Sequence, residues 1–241
     1  MRDAPEPLET PQRALAIGAH PDDIEFGCGG TLARWSTAGC HVTMVVVTDG
    51  SKGSWDPTVD PVELAAKRSQ EQSDAAAALG AAEVVQLEYV DGELEYSMEL
   101  RRRICEQIRL ARPEVLLSHD PWKRYQIHPD HRATGLGAVD GMVAARDPLF
   151  FADLGIDPHR PKAMLLWTAD EPDHWEPIES TFATKLAALL CHSSQGETTM
   201  GDAQSSLEAK NAFEQRIRTW AASNAAGSDY ELAEAFKRLT P

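Results

Sequence analysis

Two short stretches of this chain concentrate side chains able to hold a metal and move protons. The first is His20-Pro21-Asp22-Asp23, in which one imidazole and two carboxylates follow directly on the apolar run Ala14 to Gly18. The second is Ile127-His128-Pro129-Asp130-His131, with two more imidazoles and another carboxylate beyond the run Val115 to Ser118. Nitrogen and oxygen donors without thiolate suit Zn²⁺ in a catalytic setting, where three protein ligands leave a fourth position for water. His20 and Asp23 stand three apart across a proline-stiffened turn, so both can face one ion while Asp22 points elsewhere. A single His-Pro-Asp is often no more than a turn with a capping aspartate. Two of them, each leaving the end of a strand, are the convergent titratable groups expected of a site.

The elements that must position these residues follow from hydrophobic patterning. Strand-length apolar runs at Ala14 to Gly18, Val42 to Thr48, Val84 to Leu87, Val115 to Ser118 and Ala163 to Thr168 alternate with stretches of helical period. That alternation predicts an α/β fold: one Rossmann-like domain with an open, mostly parallel sheet and helices on both faces. Leu100, Ile104, Ile108 and Ala111 share one helix face, and Pro113 ends that helix before the next strand. Phe213, Ile217, Trp220 and Ala221 form a second core stripe near the C-terminus. The loop Gly50 to Pro61 and the segment His119 to Asp130 both lie past strand ends, the edge where open parallel sheets bind ligands. The division expected is a flexible tail over residues 1–12 and a catalytic domain over 13–241.

Composition excludes several classes. There are 38 acidic and 23 basic residues, a formal charge of -15 that repels a phosphate backbone, so no nucleic-acid partner is expected. No apolar run approaches the roughly 20 residues of a membrane helix, and residues 1–12 lack a signal-peptide apolar segment. Cys28, Cys40, Cys105 and Cys191 are scattered without a CxxC pair and read as reduced thiols. A cytoplasmic protein is expected, with self-association into a homo-oligomer left open.

The two His-Pro-Asp motifs resemble those of the PIG-L/LmbE-like N-acetylglucosaminyl deacetylases. The resemblance extends through Thr48-Asp49-Gly50, Arg68 with Glu71, Asp91-Gly92 and His192-Ser193-Ser194-Gln195, and so spans about residues 14 to 195. It implies that His20, Asp23 and His131 ligate zinc, that Asp22 is the general base, and that His128 stabilises or protonates the tetrahedral intermediate. It also implies a substrate-contacting role for Arg68 and a pocket-lining role for His192 and Gln195, with an N-acetylglucosamine-like small molecule as substrate. These roles make chemical sense: zinc acidifies water to a pKa of about 7, leaving Asp22 a modest task, and a positively charged His128 would meet the developing oxyanion. Asp130 is expected to orient His128 or His131. For Arg68, a surface salt bridge with Glu71 is the competing reading. Some relatives carry a tyrosine where this chain has Gln126, and the adjacent Tyr125 is a candidate replacement.

Rival readings are weaker. Gly27-Cys28-Gly29-Gly30 precedes a helix, but a dinucleotide fingerprint would follow the first strand at once, and Leu32 stands where its third glycine belongs. Those glycines are expected to let a helix pack closely on the metal turn. No Gly-x-Ser-x-Gly elbow is present. An amidase acting on a thiol-sugar conjugate shares the same chemistry and differs in the loops 50–61, 122–127 and 169–178, whose Trp55, Trp122, Tyr125 and Trp175 could stack on a ligand. A non-catalytic metal-binding protein differs only in having no open coordination position.

Overall fold

Five successive strand-length runs pair side by side and in parallel, because each of the first four is followed by a helix long enough to carry the chain back to the same end of the sheet. The computed structural model describes residues 6–241. The strands are β1 (Arg13–Gly18), β2 (His41–Thr48), β3 (Glu83–Tyr89), β4 (Val115–His119) and β5 (Ala163–Trp167), followed by β6 (His174–Pro177) and β7 (Ala233–Leu239). The helices are α1 (Asp23–Thr37), α2 (Pro61–Leu79), α3 (Met98–Ala111), α4 (Pro129–Arg146), α5 (Phe182–Leu189) and α6 (Leu207–Asn224). They build a single α/β domain around one seven-stranded sheet of order β3-β2-β1-β4-β5-β7-β6.

The first five strands are parallel, as expected; β7 runs antiparallel to β5 and to β6. The chain leaves β1 toward β2 on one side and later returns on the other as β4. The end of β1 next to β4 is therefore the topological switch point, the crevice where such sheets bind ligands. Side chains alternate across β1: Ala14 and Ala16 join the core cluster that includes Leu32 and Trp35 of α1, while Leu15 and Ile17 join the one with Ile104 of α3 and Met142 of α4.

Helix α1 bends at Cys28, whose φ of -149° is not helical. The second segment restarts under Glu234 of β7, which accepts from the N–H groups of Gly30 at 2.9 Å and Thr31 at 2.8 Å. Lys185 of α5 pairs with the same carboxylate at 2.5 Å, and both side chains are buried. The glycines expected to pack on the metal turn lie instead against other neighbours. A Cβ at Gly27 would sit 2.5 Å from the Trp167 ring, one at Gly30 would sit 2.6 Å from Ile178, and Gly29 has ordinary space.

Part of the region read as a tail is fixed. The Leu8 N–H donates to Glu176 at 2.9 Å and the Gln12 N–H to Glu114 at 2.7 Å, so the freedom expected over residues 1–12 does not extend to 8–12; residues 1–5 lie outside the described residues. All four cysteines are free thiols. No described helix is long and apolar enough to cross a membrane.

Candidate active site

Four loops meet at the C-terminal ends of β1 to β4, around a cavity of about 470 Å³. From β1 comes the turn His20–Asp23, closed by the Asp23 N–H donating to the His20 carbonyl at 3.2 Å. Asp22 holds the N-cap position of α1, where aspartate ordinarily bonds the helix's free N–H groups. Here its φ is 105° and its carboxylate makes no capping bond. A non-glycine residue in this region costs of order 1–3 kcal/mol, and such strain concentrates at functional sites. The strained turn frees the carboxylate to face the cavity.

Three side chains converge beside it. His20 Nδ1 lies 3.2 Å from Asp23 Oδ2 and 3.2 Å from His131 Nε2, and His131 Nε2 lies 3.2 Å from Asp23 Oδ1. Donor groups packed this closely can share one cation. Tetrahedral zinc with bonds near 2.0–2.1 Å sets its donor atoms roughly 3.3 Å apart, so the residues present fit that ion. Three overlapping groupings of the described residues could hold a metal: His20, His128 and His131; Asp23, His119 and His131; and His20, Asp91 and Asp130. The trio His20, Asp23 and His131 draws on the first two. The third uses the far nitrogen of His20: Nε2 lies 3.1 Å from both Asp130 Oδ2 and Asp91 Oδ1. An Nε2–H shared with two carboxylates leaves the Nδ1 lone pair free for an ion, the usual support of a metal-bound imidazole.

Asp130 therefore supports His20, not His128 or His131 as expected. It is set there by α4, which starts at Pro129, and by the Gly92 N–H donating to Asp130 Oδ2 at 2.7 Å. Burial alone would lower the His20 pKa, but hydrogen bonds donated to Asp130, Asp23 and Asp91 outweigh it and hold the imidazole well above its usual value. For Asp23, burial is opposed and overcome by His131 and His119, so its carboxyl stays well below the normal range. Asp22 moves the other way: burial, with repulsion from Asp23, lifts it to about 6 against the pull of Arg68. The two neighbouring carboxylates thus occupy unlike environments.

The charge expected on His128 is not favoured by its surroundings. Burial, then the neighbouring His20 and His131, push its pKa down, and its Nδ1 is buried without a partner. It lines the cavity and stacks on His131 with ring centroids 4.7 Å apart.

Arg68 is buried, which removes the surface-salt-bridge reading. Its Nη2 donates to the Pro21 carbonyl at 2.6 Å and lies 3.6 Å from Asp22 Oδ2, and its Nη1 donates to the Gly50 carbonyl at 3.1 Å. Glu71 instead accepts from Ser193 Oγ and from the N–H and Oγ of Ser194, pinning that turn to α2. Gln195 lines the cavity and donates to the Gly53 carbonyl at 3.1 Å. His192 is not among the lining residues; fully buried, it lies 3.6 Å from Glu25. Of the aromatic residues expected at the mouth, Trp55 lines the cavity. Trp122 and Tyr125 are exposed away from it, leaving Tyr125 no contact with the site, and Trp175 is tied to the Asn224 carbonyl.

The residues alone did not single out His119 and Gln72. His119 Nε2 lies 3.3 Å from Asp23 Oδ2, and burial, against the pull of Asp23, lowers its pKa to about 4. Gln72 accepts from the Asp22 N–H at 3.1 Å and donates to Glu25 at 2.7 Å, bracing the strained turn from α2. Position at the end of β4 was the available signal for His119; a helix-interior glutamine carries none.

Comparison with known proteins places this geometry in context. Residues 15–142 match the family described as PIG-L, GlcNAc-PI de-N-acetylase. A diacetylchitobiose deacetylase of Thermococcus kodakarensis is 36% identical over 193 residues, covering 79% of this chain and 72% of that protein. A 1D-myo-inositol 2-acetamido-2-deoxy-alpha-D-glucopyranoside deacetylase of Kineococcus radiotolerans is 33% identical over 58% of this chain and 49% of its own length. The N,N'-diacetylchitobiose deacetylase from Pyrococcus horikoshii, solved with its inhibitor MPG, superposes with a TM-score of 0.87 at 30% identity, covering 99% of this chain and 88% of that one.

Proposed function

The chain belongs to the PIG-L family, and from that premise we propose that it is a zinc-dependent N-deacetylase that hydrolyses the acetamido group of an N-acetylglucosamine-like sugar. The observation that carries this reading is the convergence of His20 Nδ1, Asp23 and His131 Nε2 at 3.2 Å, with a second carboxylate, Asp22, held beside them and outside their set. Bound by those three residues, zinc supplies Lewis acidity that acidifies water and polarises the amide carbonyl.

The chain's own groups do the rest. Asp22 accepts a proton from the attacking water as the new C–O bond forms, and returns it to the nitrogen as the C–N bond breaks, leaving acetate and a free amine. Arg68 anchors the Pro21 carbonyl and faces Asp22, so it fixes the base and steadies its charge. An N–H of His128 donates to the carbonyl oxygen as negative charge builds there, and a neutral imidazole is sufficient for that role. Asp91 and Asp130 hold the His20 ring in the tautomer that presents Nδ1. Trp55, on the rim, offers an apolar face to the sugar ring.

The test is amine release from N-acetylglucosamine, from N,N'-diacetylchitobiose and from a thiol-sugar conjugate bearing a larger acyl group, with acetate measured for the two acetylated sugars, each with zinc-loaded and metal-stripped protein. Zinc-restored release from an N-acetylated sugar supports the proposal. Turnover confined to the thiol conjugate would reassign the substrate. Stoichiometric zinc binding with no hydrolysis of any amide would make this a metal-binding protein.

A further inference from the structure

His119 touches the metal-binding group and has no part in the chemistry above. It ends β4, and the parallel register sets it beside Trp167 at the end of β5. Its ring is buried, stacks on His131 with centroids 4.3 Å apart, and meets the Trp167 indole edge-on at 4.8 Å. By position it could be read as a fourth protein ligand, since Asp23, His119 and His131 form one of the three candidate groupings.

The hydrogen-bond partners argue otherwise. Trp167 Nε1 lies 3.1 Å from His119 Nδ1, and an indole N–H only donates, so Nδ1 must carry the lone pair. A neutral imidazole then holds its proton on Nε2, where Asp23 Oδ2 is 3.3 Å away and can accept it. The Ala19 N–H, 3.2 Å from the same Nε2, is the one neighbour this tautomer leaves unfavourable. The opposite tautomer satisfies Ala19 but sets N–H against N–H at Trp167 and lone pair against carboxylate at Asp23. The first arrangement keeps the indole N–H on a lone pair and sets the ring proton beside a charged carboxylate, against one unfavourable neighbour, and is the stronger.

We infer that His119 is a positioning residue: locked as the Nε2–H tautomer by Trp167, it donates to Asp23 and aims that carboxylate at the metal without ligating it. The chain of support extends one residue further. Gly27, one turn after Asp23 along α1, lets the Trp167 ring lie against the helix, where any side chain would overlap it. Gly27, Trp167, His119 and Asp23 thus form a continuous brace from α1 through β5 and β4 back to the start of α1.

The inference rests on the zinc reading for its consequence, and its test separates the two. In metal-free wild-type protein with ¹⁵N-labelled histidine, two-bond ¹⁵N–¹H correlation should show His119 protonated on Nε2 and bare on Nδ1, the signal being assigned by its loss in His119→Gln. A proton on Nδ1 would overturn the proposal whether or not zinc binds. Zinc affinity, measured by competition with a chromophoric chelator, should fall roughly 10- to 100-fold in His119→Leu, the usual effect of losing a partner that orients a ligand. It should fall less in Trp167→Phe, and His119→Gln, which keeps an N–H donor, should recover part of the loss. Unchanged affinity in His119→Leu would overturn the positioning role, and a loss as large as that of His131→Ala would make His119 a ligand. Wild-type protein that binds no zinc while His119 shows the Nε2–H tautomer would overturn the zinc reading and support the hydrogen bond.

Discussion

Asp22 and Asp23 are adjacent in the chain and opposite in surroundings. Asp23 sits among imidazoles that keep it ionised, whereas Asp22 is buried beside Arg68 with its proton held more tightly. A ligand and a base need that division. Asp23→Ala removes one of three protein donors, so bound zinc should fall by orders of magnitude after dialysis, and turnover with it. Asp22→Ala should keep its zinc and its KM, while kcat falls roughly 10²- to 10⁴-fold, the usual contribution of a positioned base. Metal analysis and steady-state kinetics on the same preparations check both; an empty site in Asp22→Ala with a filled one in Asp23→Ala would reverse the roles. At this scale the contiguous motifs were legible, because imidazoles and carboxylates that share a turn stand out by spacing. The partners were not. Asp130 pairing with His20, and Trp167 fixing the His119 ring, depend on which strand ends lie side by side. For Arg68 a substrate contact and a surface salt bridge both stayed open, because an arginine in a polar helix carries no sign of the loop that closes over it.

The parallel half of the sheet was readable as elements, since β1, β2, β4 and β5 are apolar runs buried on both faces. The antiparallel half was not. β6 has four residues, His174–Pro177, inside what reads as a polar loop, and β7 mixes Glu234, Lys237 and Arg238 with its apolar positions. Those charges are where the half gains its structural role. Glu234 receives the restarted α1 and pairs with buried Lys185, which also donates to the Phe26 carbonyl at 2.7 Å. Glu234→Ala would leave an unpaired buried ammonium and two N–H groups without acceptors, so it should destabilise the fold by about 3–5 kcal/mol. Urea unfolding monitored by circular dichroism measures this; a loss below about 1 kcal/mol would show that the pair contributes little to holding α1. Because α1 carries Asp22 and Asp23 at its start, the same variant should also loosen the metal turn.

Taken whole, the molecule places every proposed catalytic group at one sheet edge and builds none into its opposite end. The switch between β1 and β4 makes the crevice; the loops after β2 and β3 supply Arg68's anchor at Gly50 and the carboxylate of Asp91; α4 delivers His128, Asp130 and His131 together. The strong negative charge of the chain, -15 overall, disfavours polyanionic ligands. On the proposed reading zinc binds the folded protein and not the unfolded chain, so loading the site should also raise the thermal midpoint in proportion to the logarithm of free zinc. The most direct test of the account is a zinc titration of the metal-stripped protein in which bound metal and acetate release from an N-acetylated amino sugar are read on the same samples. Activity absent at zero zinc, rising linearly and levelling off at about one ion per chain, is the predicted result. Full acetate release by protein verified to hold no metal would contradict it.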